Sequence, residues 1–213
     1  MKKRKIKAIL FDVGGVLALN KNSAKKVHRG HTNLGIHEYI ASRLNISLDQ
    51  WFDSIDSVYA KSIEGKISLK KTLEMISKNV GFSQKKLKKI IIKAYKKNFR
   101  QNKLLFKKAF KLKKSGYKIA VLSDQWHFSK EALMPDKLYK KFNEIVVSCD
   151  VGMRKPNSKI YRLILKRLRV PVKQVLFIDN QEWNIKPAKK LGMKTILYKN
   201  NRQLFNDLKK LGI

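Results

Sequence analysis

The sequence predicts an α/β protein with a Rossmann-like parallel sheet and an inserted, all-helical subdomain. In the second half of the chain, short apolar segments alternate with amphipathic segments, which is typical of βαβ units. Between the first apolar segment and Tyr117, only helical patterns occur. Several apolar segments end in Asp or Ser, and ligands of open α/β sheets bind at such strand ends.

The first predicted strand begins at Ile6, and its apolar pattern ends near Leu19. In the helical stretch that follows, Ser47 begins a capping box and Ser68 is a predicted N-cap. The apolar residues that follow Leu87 recur at helical spacing, so one face of that helix is expected to be buried. We therefore predict a bundle of roughly four helices over residues 20–99.

Helices and strands alternate from Phe106 to the end of the chain, which predicts a parallel sheet with helices on both faces. The core is therefore predicted to comprise residues 1–19 and 100–213. The predicted strands are 118–122, a segment near Ile145, 175–178 and 194–197. The predicted helices are 106–114, 158–168, 184–191 and 203–211.

Length and composition indicate one globular core with a small insert, since 213 residues with 43% hydrophobic content bury a sizeable interior. No apolar run approaches the about 20 residues of a membrane span. The basic start precedes a strand with Asp12 at its end, so we favour a core strand over a signal peptide.

The lone Cys149 is expected to be buried and unreactive. We expect a cytoplasmic monomer or homodimer.

The formal net charge of +35 raises the question of a polyanionic partner. Basic residues are spread from Lys2 to Lys210, and most of them are lysine. Proteins that contact bases and phosphates usually use Arg more heavily. We therefore favour the interpretation that most of these lysines lie on solvated helix faces. Nucleic acid stays a possible partner that the pattern does not favour, and the positive field would attract phosphorylated substrates.

Four polar residues occur in a fixed order at or just beyond predicted strands: Asp12, Ser123, Lys155 and Asp179. Together they form a set for phosphoryl transfer, with one carboxylate to attack and a second to help hold a divalent cation. The hydroxyl and the ammonium would hold the phosphate. Gly14 and Gly15 allow the backbone to turn sharply and a ligand to approach closely.

These motifs resemble those of the haloacid dehalogenase superfamily over nearly the whole chain. Residues 152–161 resemble the third motif of the branch with a helical cap inserted after the first motif, and residues 177–180 resemble its fourth. Within that branch the chain is most similar to bacterial sugar-phosphate (glucose-1-phosphate) phosphatases, which also have Gly two residues after the nucleophile.

The resemblance implies a Mg²⁺-dependent phosphomonoester hydrolase that acts on small phosphorylated metabolites through an aspartyl-phosphate on Asp12. It implies Mg²⁺ ligands from the Asp12 carboxylate, the Gly14 carbonyl and the Asp179 carboxylate. Ser123 and Lys155 would bind the phosphate and support catalysis. The predicted site is completed by phosphate contacts at Gly14, Gly15 and Asp124 and by Asn180 and Asn184 around Asp179.

Gly14 departs from the pattern, because most phosphatases of this family have an Asp there as general acid and base. Such catalysis typically contributes about 10²–10⁴-fold, so we expect poor leaving groups to suffer most. Asp124 is a possible substitute acid, although a structural loop Asp is favoured. Whether an Asp fits at position 14 depends on whether Gly14 adopts positive φ.

Two alternatives remain open. A metal-independent dehalogenase would share the Asp nucleophile, the helical cap, the Lys and Tyr161, but Asp179 would repel Asp12 unless a cation lay between them. A catalytically weakened member that binds RNA or another polyanion is also compatible with Gly14 and the charge. His28 and His31 have no metal-ligand spacing, and surface positions are favoured over a role at the cap entrance.

Overall fold

The computed structural model describes residues 6–21 and 34–213. Its strands are β1 (Ala8–Phe11), β2 (Ala18–Asn20), β3 (Phe99–Gln101), β4 (Lys118–Ser123), β5 (Glu144–Val147), β6 (Val175–Asp179) and β7 (Lys194–Leu197). Its helices are α1 (Leu34–Leu44), α2 (Leu48–Ile63), α3 (Leu69–Val80), α4 (Gln84–Asn98), α5 (Lys103–Lys114), α6 (His127–Leu133), α7 (Asp136–Tyr139), α8 (Ser148–Val151), α9 (Ser158–Leu168), α10 (Glu182–Lys190) and α11 (Asn201–Lys210).

Five parallel strands form the main sheet in the order β5-β4-β1-β6-β7. The chain moves from β1 to one side of the sheet and then returns to the other side through β6. The carboxyl end of β1 therefore lies at the point where the strand order reverses, which is the usual ligand site of such sheets. The predicted α/β class with a parallel sheet is confirmed.

Both faces of the sheet are buried because the side chains of a strand point alternately to opposite sides. Ile9 and Phe11 of β1 belong to the larger core, which continues into the helices between β2 and β3. Ala8 and Leu10 belong to a second core that includes residues of α9 and α10. All four residues of β1 are fully buried, so the sheet provides a rigid base for Asp12.

Helices α1 to α4 form the predicted insertion, which we call the cap. Ser47 makes the predicted capping box with Gln50 at the start of α2, and Ser68 caps α3. Ile76, Leu87 and Ile91 are fully buried in the apolar interior of the cap. The division between a core and a cap at residues 20 and 99 stays a prediction.

Two short strands differ from the sequence-based prediction. The apolar pattern near Leu19 does not continue the first strand, because a hydrogen-bonded turn follows Asp12 and a separate strand, β2, begins at Ala18. Strand β2 pairs antiparallel with β3, which lies in the stretch between Leu19 and Tyr117 where only helices were predicted. This ribbon of three residues per strand brings the two ends of the cap insertion together.

Within the described residues, no helix is both long enough and apolar enough to cross a membrane.

Candidate active site

Asp12 directly follows β1, and its backbone N–H donates to the carbonyl of Ile178 at 3.0 Å. The next residues form a tight turn in which the N–H of Ala18 donates to the carbonyl of Val13 at 2.8 Å. Asn102 supports this turn from behind by donating from its side chain to the carbonyl of Val16 at 2.8 Å. The turn thus holds Asp12 at the carboxyl edge of the sheet.

Gly15 has a φ of 82°, and an added Cβ would lie 2.8 Å from Cγ of Asn180. Only glycine fits such a position without strain, since it combines positive φ with a close approach. The loop after β1 therefore packs directly against the loop after β6. Gly14 differs, because its φ is not positive and, among the residues that the structure describes, an added Cβ would meet only Nε2 of Gln125, at 3.9 Å.

Lys155 joins the two predicted carboxylates. Its Nζ lies 3.1 Å from Oδ1 of Asp12 and 2.6 Å from Oδ2 of Asp179, and its side chain is 1% exposed. The same ammonium donates to the carbonyl of Leu122 at 3.4 Å. Three residues from distant parts of the sequence therefore meet at one buried point.

Asp179 is held by two further donors. The backbone N–H of Gln181 donates to Oδ1 at 2.8 Å, and Nδ2 of Asn184 lies 3.3 Å and 3.1 Å from the two carboxylate oxygens. The Tyr161 hydroxyl in turn donates to the carbonyl of Asn184 at 2.9 Å. Asn180 is placed differently from Asn184, since its side chain packs against Gly15.

Ser123 is fully buried at the end of β4, beside the strand that leads to Asp12, and its hydroxyl lowers the pKa of that carboxyl. Its Oγ also accepts a hydrogen bond from Nε2 of Gln125 at 3.0 Å. The adjacent Asp124 is oriented toward the third motif, where Oδ1 accepts from the backbone N–H of Lys155 at 3.0 Å and Oδ2 lies 4.0 Å from Nε of Arg154. This contact orders the loop that carries Lys155.

Gln125 is a site residue that the sequence analysis missed. Its position depends on Ser148 of the neighbouring strand end, whose hydroxyl accepts from the backbone N–H of Gln125 at 3.0 Å and donates to its carbonyl at 3.2 Å. The available signal was a polar residue two positions after Ser123, just before the aromatic Trp126. Such a signal has no motif spacing to distinguish it from an ordinary loop residue.

The buried setting shifts the protonation of the acidic groups. Burial raises the pKa of Asp12 to about 6, with a further increase from Asp179, while Lys155 and Ser123 lower it. Burial alone would lower the pKa of Lys155, but Asp12 and Asp179 raise it above its usual value. Burial also raises the pKa of Asp124.

The donor atoms at this edge suit a hard cation. In the described part of the chain, no group of three or more His, Cys, Asp or Glu side chains forms a metal cluster. The carboxylates of Asp12 and Asp179 nevertheless share one end of the sheet with the Gly14 carbonyl. The buried side-chain oxygens of Asn180 and Asn184 have no hydrogen-bond partner among residues 6–21 and 34–213. An all-oxygen set fits Mg²⁺ better than a thiophilic metal.

The cap contacts the core beside this site. Nε2 of His127 lies 2.8 Å from the carbonyl of Ile67, and Nε1 of Trp126 donates to the Tyr95 hydroxyl at 2.7 Å. The end of α2 rests on α8, where an added Cβ at Gly65 would lie 2.7 Å from the carbonyl oxygen of Cys149. His28 and His31 lie outside the described residues.

The fold and the site define an α/β protein in which an Asp after the first strand faces a buried Lys–Asp pair. Residues 6–192 match the family model described as haloacid dehalogenase-like hydrolase, and the chain belongs to this family. The superfamily resemblance of the four motifs is thereby confirmed. The more specific similarity to sugar-phosphate phosphatases is not established by this match.

Several curated proteins are similar to this chain. Bifunctional epoxide hydrolase 2 from Mus musculus is 30% identical over 171 residues, which are 78% of this chain and 29% of that protein. Glyceraldehyde 3-phosphate phosphatase from Methanocaldococcus jannaschii is 30% identical over 96 residues (42% and 40% of the two chains). (S)-2-haloacid dehalogenase from Pseudomonas fluorescens is 25% identical over 99 residues (46% and 44%). The chain spans less than a third of the epoxide hydrolases.

Among solved structures, the HAD family enzyme bt-2542 from Bacteroides thetaiotaomicron, in complex with magnesium and inorganic phosphate, superimposes with a TM-score of 0.71. The two chains are 20% identical, and the match covers 92% of this chain and 96% of that one. This likeness shows that the two proteins share the fold.

Proposed function

We propose that this protein is a Mg²⁺-dependent phosphomonoester hydrolase that acts on small phosphorylated metabolites, with sugar phosphates as the first class to examine. The observation that carries the proposal is the buried contact of Lys155 with both Asp12 and Asp179, with the buried Ser123 at the end of the adjacent strand β4. This set provides a nucleophile, a phosphate-binding cation, a hydroxyl donor and a second carboxylate.

In the proposed reaction, a carboxylate oxygen of Asp12 attacks phosphorus in line with the ester bond. The bond between phosphorus and the leaving oxygen breaks, and the leaving group departs with the electron pair. Water then attacks phosphorus and the bond to Asp12 breaks, which releases inorganic phosphate and restores the carboxylate. Lys155 offsets the negative charge of the phosphoryl group, and Ser123 donates a hydrogen bond to one of its oxygens.

The residues that would hold Mg²⁺ are Asp12, Asp179 and the Gly14 carbonyl. When bound, the cation would supply charge stabilisation to the phosphoryl oxygens. The two buried carboxylates exceed the single ammonium of Lys155 by one negative charge, which supports a cation at this edge. The magnesium and phosphate in bt-2542 support the same assignment.

A dehalogenase is the second candidate, and one observation favours it. In a metal-independent dehalogenase, Asp179 would repel Asp12 unless another cation lay between them. Lys155 is itself such a cation, because its Nζ contacts both carboxylates. The two carboxylates can therefore lie close together without a metal, and the metal dependence of the reaction has to distinguish the two activities.

The test measures phosphate release from aryl phosphates and a metabolite panel, and halide release from 2-haloacids, each with Mg²⁺ and with a chelator. We expect Mg²⁺-dependent phosphate release that Asp12→Asn abolishes. Asp179→Asn should remove the Mg²⁺-dependent part, by about 10²-fold or more. Asp136→Asn, an exposed position on α7, is the charge-matched control and should behave as the wild type. Halide release that persists in chelator would instead establish the dehalogenase.

A further inference from the structure

Gln125 is held inside the site through both its backbone and its side-chain amide. Its backbone is bound through both its N–H and its carbonyl to the hydroxyl of Ser148, at 3.0 and 3.2 Å. Its amide Nε2 donates to Oγ of Ser123 at 3.0 Å, and the residue is 6% exposed. Because Ser123 Oγ accepts this bond, its own proton stays available for Asp12 or for a phosphoryl oxygen.

The same amide lies beside the space over Gly14. In the described part of the chain, the one atom within 4 Å of an added Cβ at Gly14 is Nε2 of Gln125, at 3.9 Å, which is an ordinary contact distance. The φ of Gly14 is not positive, so the concern that an Asp at this position would be strained does not apply. The backbone thus accepts a side chain at position 14, and an amide borders the place that this side chain would occupy.

We propose that Gln125 is the positioning residue on the leaving-group side of the site, where it orients Ser123 and takes the place of a carboxyl group at position 14. This proposal rests on the phosphatase function proposed above. An amide donates a hydrogen bond but does not release a proton at neutral pH. The leaving oxygen therefore departs as an anion and takes its proton from water.

The proposal narrows the substrate class to phosphate esters and anhydrides whose leaving groups have low pKa. Acyl phosphates and phosphates on an anomeric carbon belong to this class, whereas phosphates of primary alcohols do not. Burial raises the pKa of Asp124, but its carboxylate is oriented toward the loop of Lys155, where it accepts from the backbone N–H of Lys155 and faces Arg154.

The experiment compares Gln125→Glu and Gln125→Leu with the wild type on aryl and alkyl phosphates of graded leaving-group pKa. The Glu variant places an acid beside Gly14, and burial near other carboxylates favours its protonated form. We expect it to improve alkyl relative to aryl phosphates by about 10-fold or more, with a new loss of activity at high pH. The Leu variant lacks the hydrogen-bond donor, and its activity should fall about 10-fold on aryl and alkyl phosphates alike.

Gly14→Asp gives a second route to the same result, with an unchanged Gln125. It should also improve alkyl phosphates selectively, and its effect should not add to that of Gln125→Glu because the two groups share one space. An unchanged leaving-group dependence and pH profile in both acid variants would overturn the proposal.

A failure of the proposed phosphatase function can be distinguished from a failure of the role proposed for Gln125. In that case the wild type would release no phosphate from any ester in an Asp12-dependent manner. Calorimetric titration with inorganic phosphate and Mg²⁺ would then test Gln125 directly. We expect Gln125→Leu to bind inorganic phosphate about 10-fold more weakly than the wild type, and equal affinity would overturn the positioning role.

Discussion

The ammonium group of Lys155 determines how charge is distributed at the site. It is almost completely buried between two carboxylates, at 3.1 Å from Asp12 and 2.6 Å from Asp179. Removing one member of such a buried set leaves the remaining charges uncompensated, which is more costly than losing an exposed ion pair. Even with this partner, burial is the largest influence on Asp12 and raises its pKa to about 6.

The pH dependence of turnover should report this protonation of Asp12. Only the carboxylate attacks phosphorus, so kcat/KM should fall about tenfold per pH unit below the pKa of about 6. Bound Mg²⁺ favours the carboxylate form of Asp12. Raising the Mg²⁺ concentration should therefore move this acidic limb of the pH profile to lower pH. Initial rates on an aryl phosphate at several Mg²⁺ concentrations would measure both effects. A limb that does not move with Mg²⁺ would contradict contact between the metal and Asp12.

At the scale of secondary-structure elements, the end of α2 determines how the cap meets the core. Gly65 follows this helix with a φ of 65°, and an added Cβ would lie 2.7 Å from the carbonyl oxygen of Cys149 at α8. Gly81 ends α3 with the same φ of 65°, but an added Cβ there would meet no described residue within 4 Å. A comparison of substitutions at the two glycines therefore separates the effect of backbone strain from the effect of the cap–core contact.

Alanine at these two glycines should have unequal effects. Gly81→Ala should lower the free energy of unfolding by about 1 kcal/mol, because only the positive φ is strained. Gly65→Ala adds a clash with backbone and should cost about 1–3 kcal/mol more. It should also raise KM, since the cap would shift beside the site. Urea unfolding and steady-state kinetics of both variants provide the measurement, and equal losses would show that the contact at Cys149 adjusts freely.

The long apolar strands and the capped helices were predictable because their signals are local. Strands β1, β4 and β6 each contain a continuous apolar run of four residues, and the side chains of Ser47 and Ser68 cap the starts of their helices. Strands β2 and β3 were not predictable, because each has only three residues and forms through a pairing across the whole cap. Pairings between distant short segments leave no periodic pattern in the sequence.

The same distinction holds within the site. Asp12 follows β1, while Ser123 and Asp179 are the last residues of β4 and β6, which both pair with β1; their convergence therefore follows from topology. The position of Gln125 is instead set by Ser148 at the end of a neighbouring strand, and the contact between Gly15 and Asn180 joins two separate loops. Such contacts depend on three-dimensional packing that the order of residues does not reveal.

At the scale of the whole molecule, a strongly basic surface surrounds an acidic site. The formal net charge is +35, with 50 basic and 15 acidic residues. The ion pairs outside the site that the structure describes, such as Lys71 with Glu74 and Lys130 with Asp150, are solvent-exposed and contribute little to stability. The excess lysines are therefore better explained by solubility and attraction of anions than by the fold.

Ionic strength should accordingly affect KM more strongly than kcat. For a phosphate monoester, KM should increase several-fold between about 10 mM and about 0.3 M salt, because screening shortens the range of the positive field. The kcat value should change little, since the buried contacts of Lys155 are screened much less. A bisphosphorylated substrate should show a steeper increase than a monophosphorylated one, because it carries more charge through the same field. Equal KM values at low and high salt for both substrates would mean that the lysine-rich surface does not attract the substrate.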